Sequence, residues 1–300
     1  MIQAGDADSI DLARDRRLEI RDPAGGLRPG ITEYSGPSFT IDVLGFNRNI
    51  QPTNGVGWRE ALDFFADAHV RRTFEYAFDY QNFSRGVMYG EVQPLRGPFP
   101  QGMFGADPRL PLPTYDLDLA AAELRQTPSW NRNLTIDLFY SGPNLVQKQT
   151  LLSLKPGLEA IHTLKGSPGN ISVRAWPLSW IDYLSAERGH GLPIYTFSLT
   201  PDYADPDDLA SLLLRSGGLF SSAMSYSNTS LDTLIDRQRV EQDPSVRLDL
   251  LSKVQQGALN DDEYIRAGQE TLNPVFRSWI TGVFTNPTLS GNYYYSLGKT

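Results

Sequence analysis

Cysteine is absent from the 300-residue chain. That excludes a disulfide framework, thiolate metal ligation and a cysteine nucleophile, and leaves the redox compartment open. Histidine is scarce: His69, His162 and His190 lie far apart and match no HExxH or comparable ligand spacing, so each reads as a surface or hydrogen-bonded histidine. Basic charge is in deficit as well. The 27 Lys and Arg against 35 Asp and Glu give a net charge of -8 and a pI near 5.0, without the basic face that nucleic-acid binding needs. No run of 18 apolar residues could span a membrane, and Met1 to Asp8 lack the charged start and apolar core of a signal peptide. This leaves either a cytosolic protein or a chain that starts inside a longer one. A P-loop, a GxGxxG turn after a strand, a GxSxG elbow, internal repeats and low-complexity segments are all missing.

What is present describes a folded chain. Hydrophobic residues make up 40% and charged residues 21%, ordinary for a globular protein, and 300 residues are enough for one large domain plus part of another. Thr40 to Asn47 has strand composition. From Trp58 to Met88 the spacing turns helical, with Ala66, Val70, Phe74, Ala77 and Phe78 on one stripe. Arg71 and Arg72, flanked by Asp67 and Glu75, read as a solvated face. Pro94 to Gly105 is too rich in Pro and Gly for regular structure and predicts a long ordered loop or a lid. Then follow a short helix started by Asp116, a strand at 133–140, helical spacing at 145–164, a strand at 171–176, a short helix at 178–186 and a strand at 193–199. This alternation predicts crossovers in a largely parallel sheet, where ligands sit beyond the carboxyl ends of the strands. Helices are expected at 231–240 and 244–259, and strand-like segments at 279–287 and 292–297.

The stretch Tyr195 to Pro206 carries the strongest functional signal. A strand with Tyr195 and Phe197 ends at Pro201, Asp202 and Tyr203 project from the turn, and Asp207, Asp208 and a leucine run open a helix. The same pattern also describes an ordinary strand-to-helix turn with Asp as the helix cap. With Trp176 and Trp180 nearby, an aromatic wall around one carboxylate suits binding of an amphipathic or cationic ligand better than bond breaking. The rival is a hydrolase acting on peptide or glycan through paired carboxylates such as Asp205 and Asp207. For that pair the helix-start reading has the better claim.

Four segments in order carry a family resemblance: Ile2 to Asp8; Leu44-Gly-Phe-Asn47 with Phe65 to Arg71 and Ala77-Phe-Asp79; Thr200 to Pro206; and Gly282 to Pro287 with Tyr293 to Leu297. Together they resemble the C-terminal part of a family 5 extracellular solute-binding protein, the ABC-importer receptors for oligopeptides, dipeptides and nickel. The resemblance implies an α/β fold of the periplasmic-binding-protein type (type II, large cluster): a C-terminal lobe with a mixed or parallel sheet flanked by helices, plus strands left over from the first lobe. On this reading residues 1–45 and 273–300 belong to the first lobe and 46–272 form the ligand-binding lobe. The signal peptide, the smallest domain and most of the first lobe would lie outside this chain.

The resemblance further implies a non-catalytic receptor without a cofactor, periplasmic or extracellular and open to membrane anchoring, that delivers its solute to ABC permease subunits. Edges left bare would favour self-association. By the same likeness Asp202 matches the aspartate that pairs with a peptide's α-amino group, and Trp180 matches a tryptophan of a side-chain pocket. Tyr195, Phe197 and Tyr203 are expected as neighbouring walls, and Asn47 and Phe276 as hinges. Thr196 and Leu199 stand where oligopeptide binders carry an arginine and a tryptophan, so a sugar, an opine-like compound or another amine-bearing solute stays open beside peptide.

Overall fold

A computed structural model describes residues 2–51, 53, 55–289, 291 and 293–300. The chain enters through β1 (Ser9–Ile10), a 3-10 helix (Arg14–Ile20) and β2 (Ile31–Glu33), then runs into β3 (Gly36–Phe46), an 11-residue strand buried along most of its length. Next come α1 (Ala68–Ala77), the single turn α2 (Tyr80–Asn82), a π-helical turn at Phe83–Val87, β4 (Val92–Gln93) and α3 (Leu117–Leu124). A β–α–β unit follows: β5 (Leu134–Ser141), α4 (Leu145–Leu152), α5 (Lys155–Lys165) and β6 (Ile171–Leu178). After α6 (Trp180–Arg188) and β7 (Ile194–Leu199), four helices close the lobe: α7 (Pro206–Leu209), α8 (Leu219–Ala223), α9 (Thr229–Val240) and α10 (Pro244–Asp261). The chain ends through β8 (Tyr264–Leu272), β9 (Val275–Arg277), β10 (Ile280–Thr281) and β11 (Gly298–Lys299).

The central sheet has the order β4-β8-β3-β7, and every pairing in it is antiparallel. This corrects the expectation of a largely parallel sheet: among the described residues only β5 and β6 pair in parallel. After α6 the chain does not return to β6. It registers β7 on β3, from Ile41 opposite Leu199 to Phe46 opposite Ile194. Both faces of the central sheet are packed. Leu44, Phe46, Ile194 and Ile265 join the core under α1, α3 and α5, while Ile41, Val43, Tyr195 and Phe197 join a second core under the C-terminal helices. That two-sided burial follows from alternation along the strands, which sends successive side chains to opposite faces.

A three-stranded sheet, β1-β9-β2, encloses a small separate core of Ile2, Leu12, Ile20, Ile31 and Val275. The chain passes between the small and central sheets twice, at Tyr34-Ser35 and at Asn273-Pro274, and the Tyr34 amide donates to the Pro274 carbonyl at 3.1 Å.

Three local expectations change. Arg71 is buried, not solvated: its guanidinium donates to the carbonyls of Phe65, Ala66, Asp261 and Asp262, tying the start of α1 to the end of α10. Its neighbour Glu75 turns inward to Arg266 at 2.6 Å. The Pro-rich loop at 94–105 is a plug, since Leu95, Phe99 and Met103 are buried and the Gln101 amide donates to Gln269 at 2.7 Å. Of the strand-like ends, Ile280–Thr281 pairs with Gly298–Lys299, whereas Tyr294–Ser296 forms a 3-10 turn; Asn292 lies outside the described residues.

Candidate ligand-binding site

β7 is an edge strand of the central sheet, and it ends at the turn that displays Asp202. Four carboxylates crowd this turn, and three are engaged. Asp205 caps α7 by accepting from the Asp207 amide and takes a two-pronged ion pair from Arg247 at 2.9 and 2.6 Å. Burial works against that charge, but the Arg247 hydrogen bonds win and hold the Asp205 carboxyl below its ordinary range. Asp207 accepts from Gln238 at 2.6 Å, from Arg239 at 3.2 Å and from the Tyr203 hydroxyl at 3.3 Å. Asp208 is buried beneath the turn and accepts the Asp202 amide at 2.7 Å; burial raises its pKa. Asp202 itself is exposed, and no hydrogen bond or ion pair engages its carboxylate among the described residues.

The helix-start reading thus describes Asp205 and Asp207. Each carboxylate is committed to an arginine, the opposite of a hydrolase acid held ready to give up a proton. Asp202 is different, because a free carboxylate at a strand end can take a cation from solution.

The aromatic side chains split into two groups. Trp180, at the start of α6, is 59% exposed, and Tyr203 is 49% exposed. Both can meet a ligand. Tyr195 and Phe197 cannot: they are buried core residues whose rings stack at 5.8 Å, and Phe197 packs on Phe220 at 4.3 Å. The Tyr195 hydroxyl donates to the Glu187 carbonyl at 3.2 Å. They support the strand from below, since the face of β7 that carries them looks into the helical core. Asn47 and Phe276 are also packed tightly. The Asn47 amide donates to the carbonyls of His190 and Leu192, and Phe276 lies between β1 and β2 partners with Tyr34 edge-on at 5.9 Å.

The structure also holds a groove that sequence reasoning missed, and no residue of β7 lines it. This groove of about 880 Å³ lies between residues 10–17, the Tyr89 to Glu91 segment, the N-terminus of α4 and the Thr271–Pro274 crossing. Its lining does not include Asp202, but contacts lead toward it from Trp180 and from Ser198. Trp180 stacks on Tyr183, whose hydroxyl accepts from Gln147 of α4, where Leu145, Val146 and Gln149 line the groove. On the other side Ser198 reaches Glu270 at 3.5 Å, and Glu270 pairs with the groove residue Arg14 at 2.8 Å. Arg14, Arg17 and Arg21 engage Glu33, Glu91 and Glu270 in one ionic seam between the small sheet and the central one.

The histidines are occupied elsewhere: His69 with Glu123 at 2.6 Å, His162 with the Ser167 carbonyl at 2.8 Å and His190 beside Ser225 at 3.4 Å. No cluster of three or more potential metal ligands occurs among the described residues, and none of their helices is long and apolar enough to cross a membrane.

Comparison with known proteins matches residues 1–221 to the family described as "Bacterial extracellular solute-binding proteins, family 5 Middle". A probable D,D-dipeptide-binding periplasmic protein of Escherichia coli K12, DdpA, is 23% identical over 261 residues, covering 86% of this chain and 46% of the relative. Among solved structures, NikA from Brucella suis in complex with Fe(III)-EDTA superposes with a TM-score of 0.78 at 16% identity, over 99% of this chain and 58% of that one. DppA from Helicobacter pylori in complex with the peptide STSA gives 0.73 at 16%, over 99% and 54%. The chain spans about half the length of these relatives. At such identities the structural likeness speaks for the α/β periplasmic-binding-protein fold, and the match over most of the chain speaks for the lineage. The chain belongs to the family 5 bacterial extracellular solute-binding proteins.

Proposed function

We propose that the chain is the ligand-anchoring part of a non-catalytic ABC-importer receptor that binds a peptide or another amine-bearing solute outside the cytoplasm. The observation that carries this reading is the one unengaged carboxylate of the turn after β7, Asp202, which is exposed, as are Tyr203 next to it in the chain and Trp180 at the start of α6. An ammonium held there gains a charge-assisted hydrogen bond, and the indole and phenol rings supply apolar cover. The free edge of β7 adds backbone groups on which an extended peptide could pair as a further strand. The dipeptide- and peptide-binding descriptions of the E. coli and H. pylori relatives agree with that ligand class.

The proposed division assigns residues 1–45 and 273–300 to the first lobe and 46–272 to the ligand-binding lobe, with permease subunits as partners and self-association through uncovered edges. The separate small core around Ile31 and Val275 supports two units. Closure then turns on the strands at Asn47, whose side-chain amide donates to the Leu192 carbonyl, and near Phe276, just past the Asn273-Pro274 crossing. Calorimetric titration with short peptides tests the anchor: Asp202→Ala is expected to weaken binding at least about tenfold, about 1.4 kcal/mol. An unchanged affinity overturns it.

A further inference from the structure

Asp42 lies in the middle of β3, on the sheet face that carries Leu44 and Phe46 into the core. It is 8% exposed, and its Oδ2 atom has no hydrogen-bond partner. Opposite it on β7 stands Ser198, which is exposed, and next to both lies Glu270 of β8, whose Oε1 is 3.5 Å from the Ser198 hydroxyl. Arg14 is the cation at hand, and it is divided: it pairs with Glu270 Oε2 at 2.8 Å and with Glu91 at 3.3 Å. Glu91 and Glu33 in turn share Arg17. Glu270 and Glu91 therefore flank the Arg14 guanidinium, which with Glu91 lines the 880 Å³ groove, while Asp42 makes no ion pair with it. The cluster is one positive charge short on the side of Asp42 and Ser198. Burial, then repulsion from Glu270, pushes Asp42 up to about 7, the behaviour of a carboxylate pair that lacks a counter-cation.

We infer that Asp42, Ser198 and Glu270 form a second cation subsite, beside the groove that Arg14 and Glu91 line, which takes a side-chain ammonium or guanidinium of the ligand. The inference rests on the Asp202 anchor proposed above and narrows its ligand class to solutes that carry two cationic groups. Ser198 and Asp202 are four residues apart in the chain, so their backbones are separated by about 13 Å at most, the limit at a rise of about 3.3 Å per residue. A dipeptide or tripeptide with an N-terminal ammonium on Asp202 can place a lysine side chain at the second position. The groove supplies matching apolar surface for the lysine stem through Leu145 and Val146 of α4.

The probes are Ala-Lys and Ala-Leu, titrated calorimetrically into the 300-residue chain, with Ala-Ala-Lys and Ala-Ala-Leu as the longer pair. The expected result is an affinity ratio of about tenfold or more in favour of the lysyl peptide. In Glu270→Gln and in Ser198→Lys, which places a cation of the protein itself in the subsite, that ratio falls to about one. Glu270 and Ser198 are both solvent-accessible, and melting curves confirm that these variants fold. In Asp202→Ala both affinities fall while the ratio persists. A ratio near one in the unaltered chain, with Ala-Leu bound and weakened by Asp202→Ala, overturns the subsite and leaves the anchor standing. A lysyl preference that survives Glu270→Gln also overturns it. Failure of all four peptides to bind removes the anchor and the subsite together.

Discussion

Arg71 shows how much one side chain can organise. It donates to four carbonyls from two segments far apart in sequence, and Glu263 lies close enough to offset part of its burial. Burial, then the nearby Arg48, brings its pKa down to about 10, so the guanidinium stays charged at neutral pH. Arg71→Leu removes the donor and leaves buried carbonyls unsatisfied. The expected cost is about 3–5 kcal/mol, read as a lower urea midpoint with an unchanged slope. Sequence periodicity put Arg71 on a solvated face because an arginine at a helical position beside Asp67 and Glu75 normally faces water. Nothing local to α1 reveals the C-terminal end of α10, which is what Arg71 caps. Asp202 was legible for the opposite reason: its exposure follows from the Pro-bracketed turn itself. Tyr195 and Phe197 have the composition of a pocket wall, and only the helices packed on β7 decide that they are core.

At the scale of elements, helices read well where caps and stripes coincide. Asp116 caps α3 through the Asp118 and Leu119 amides, and Asp243 caps α10 through Ser245 and Val246. The run at 145–164 divides into α4 and α5 around Ser153-Leu154, with Pro156 in the first turn of α5. Strand β8 was not legible. Tyr-Ile-Arg-Ala-Gly-Gln-Glu-Thr-Leu carries Arg266, Gln269 and Glu270, yet it lies at the centre of the sheet. Its polar groups are satisfied only by distant partners: Arg266 by Glu75, and Gln269 by Ser38 and Gln101. Element packing also sets a tight contact at Gly157, where α5 meets the end of α1; an added Cβ would lie 2.0 Å from the Ala77 carbonyl oxygen. Gly157→Ala is therefore expected to destabilise by about 1–3 kcal/mol despite the better helix propensity of alanine, measured by denaturant unfolding.

Across the whole molecule, several buried or partly buried acids hold their protons more tightly in the folded state than in the unfolded one. Asp42, facing Glu270, Ser198 and Arg14, rises to about 7; Asp262, facing Arg72, Glu75 and Arg71, to about 6; and Glu263, facing Arg48, Arg71 and Asp261, to about 8. Burial is the largest cause in each. A raised carboxyl contributes stability that is complete below its unfolded pKa, about 4, and is lost as pH rises through the folded value. The melting temperature is therefore expected to fall between pH 5 and pH 8.5. Asp42→Asn and Glu263→Gln should each flatten the slope; a slope unchanged in both variants would contradict the assignment.

The amino-acid sequence alone determined the α/β class, most of the helices, the strands at β3, β5, β6 and β7 and the displayed Asp202, because these follow from periodicity, caps and turn chemistry within a dozen residues. The order of four short segments added the family likeness. Tertiary structure alone decided the antiparallel central sheet, the burial of Arg71, the core role of Tyr195 and Phe197 and the meeting of Asp42, Ser198 and Glu270 beside the groove. Those features depend on partners more than a hundred residues apart, and a buried polar group has a tolerable energy only once its distant partner is in place.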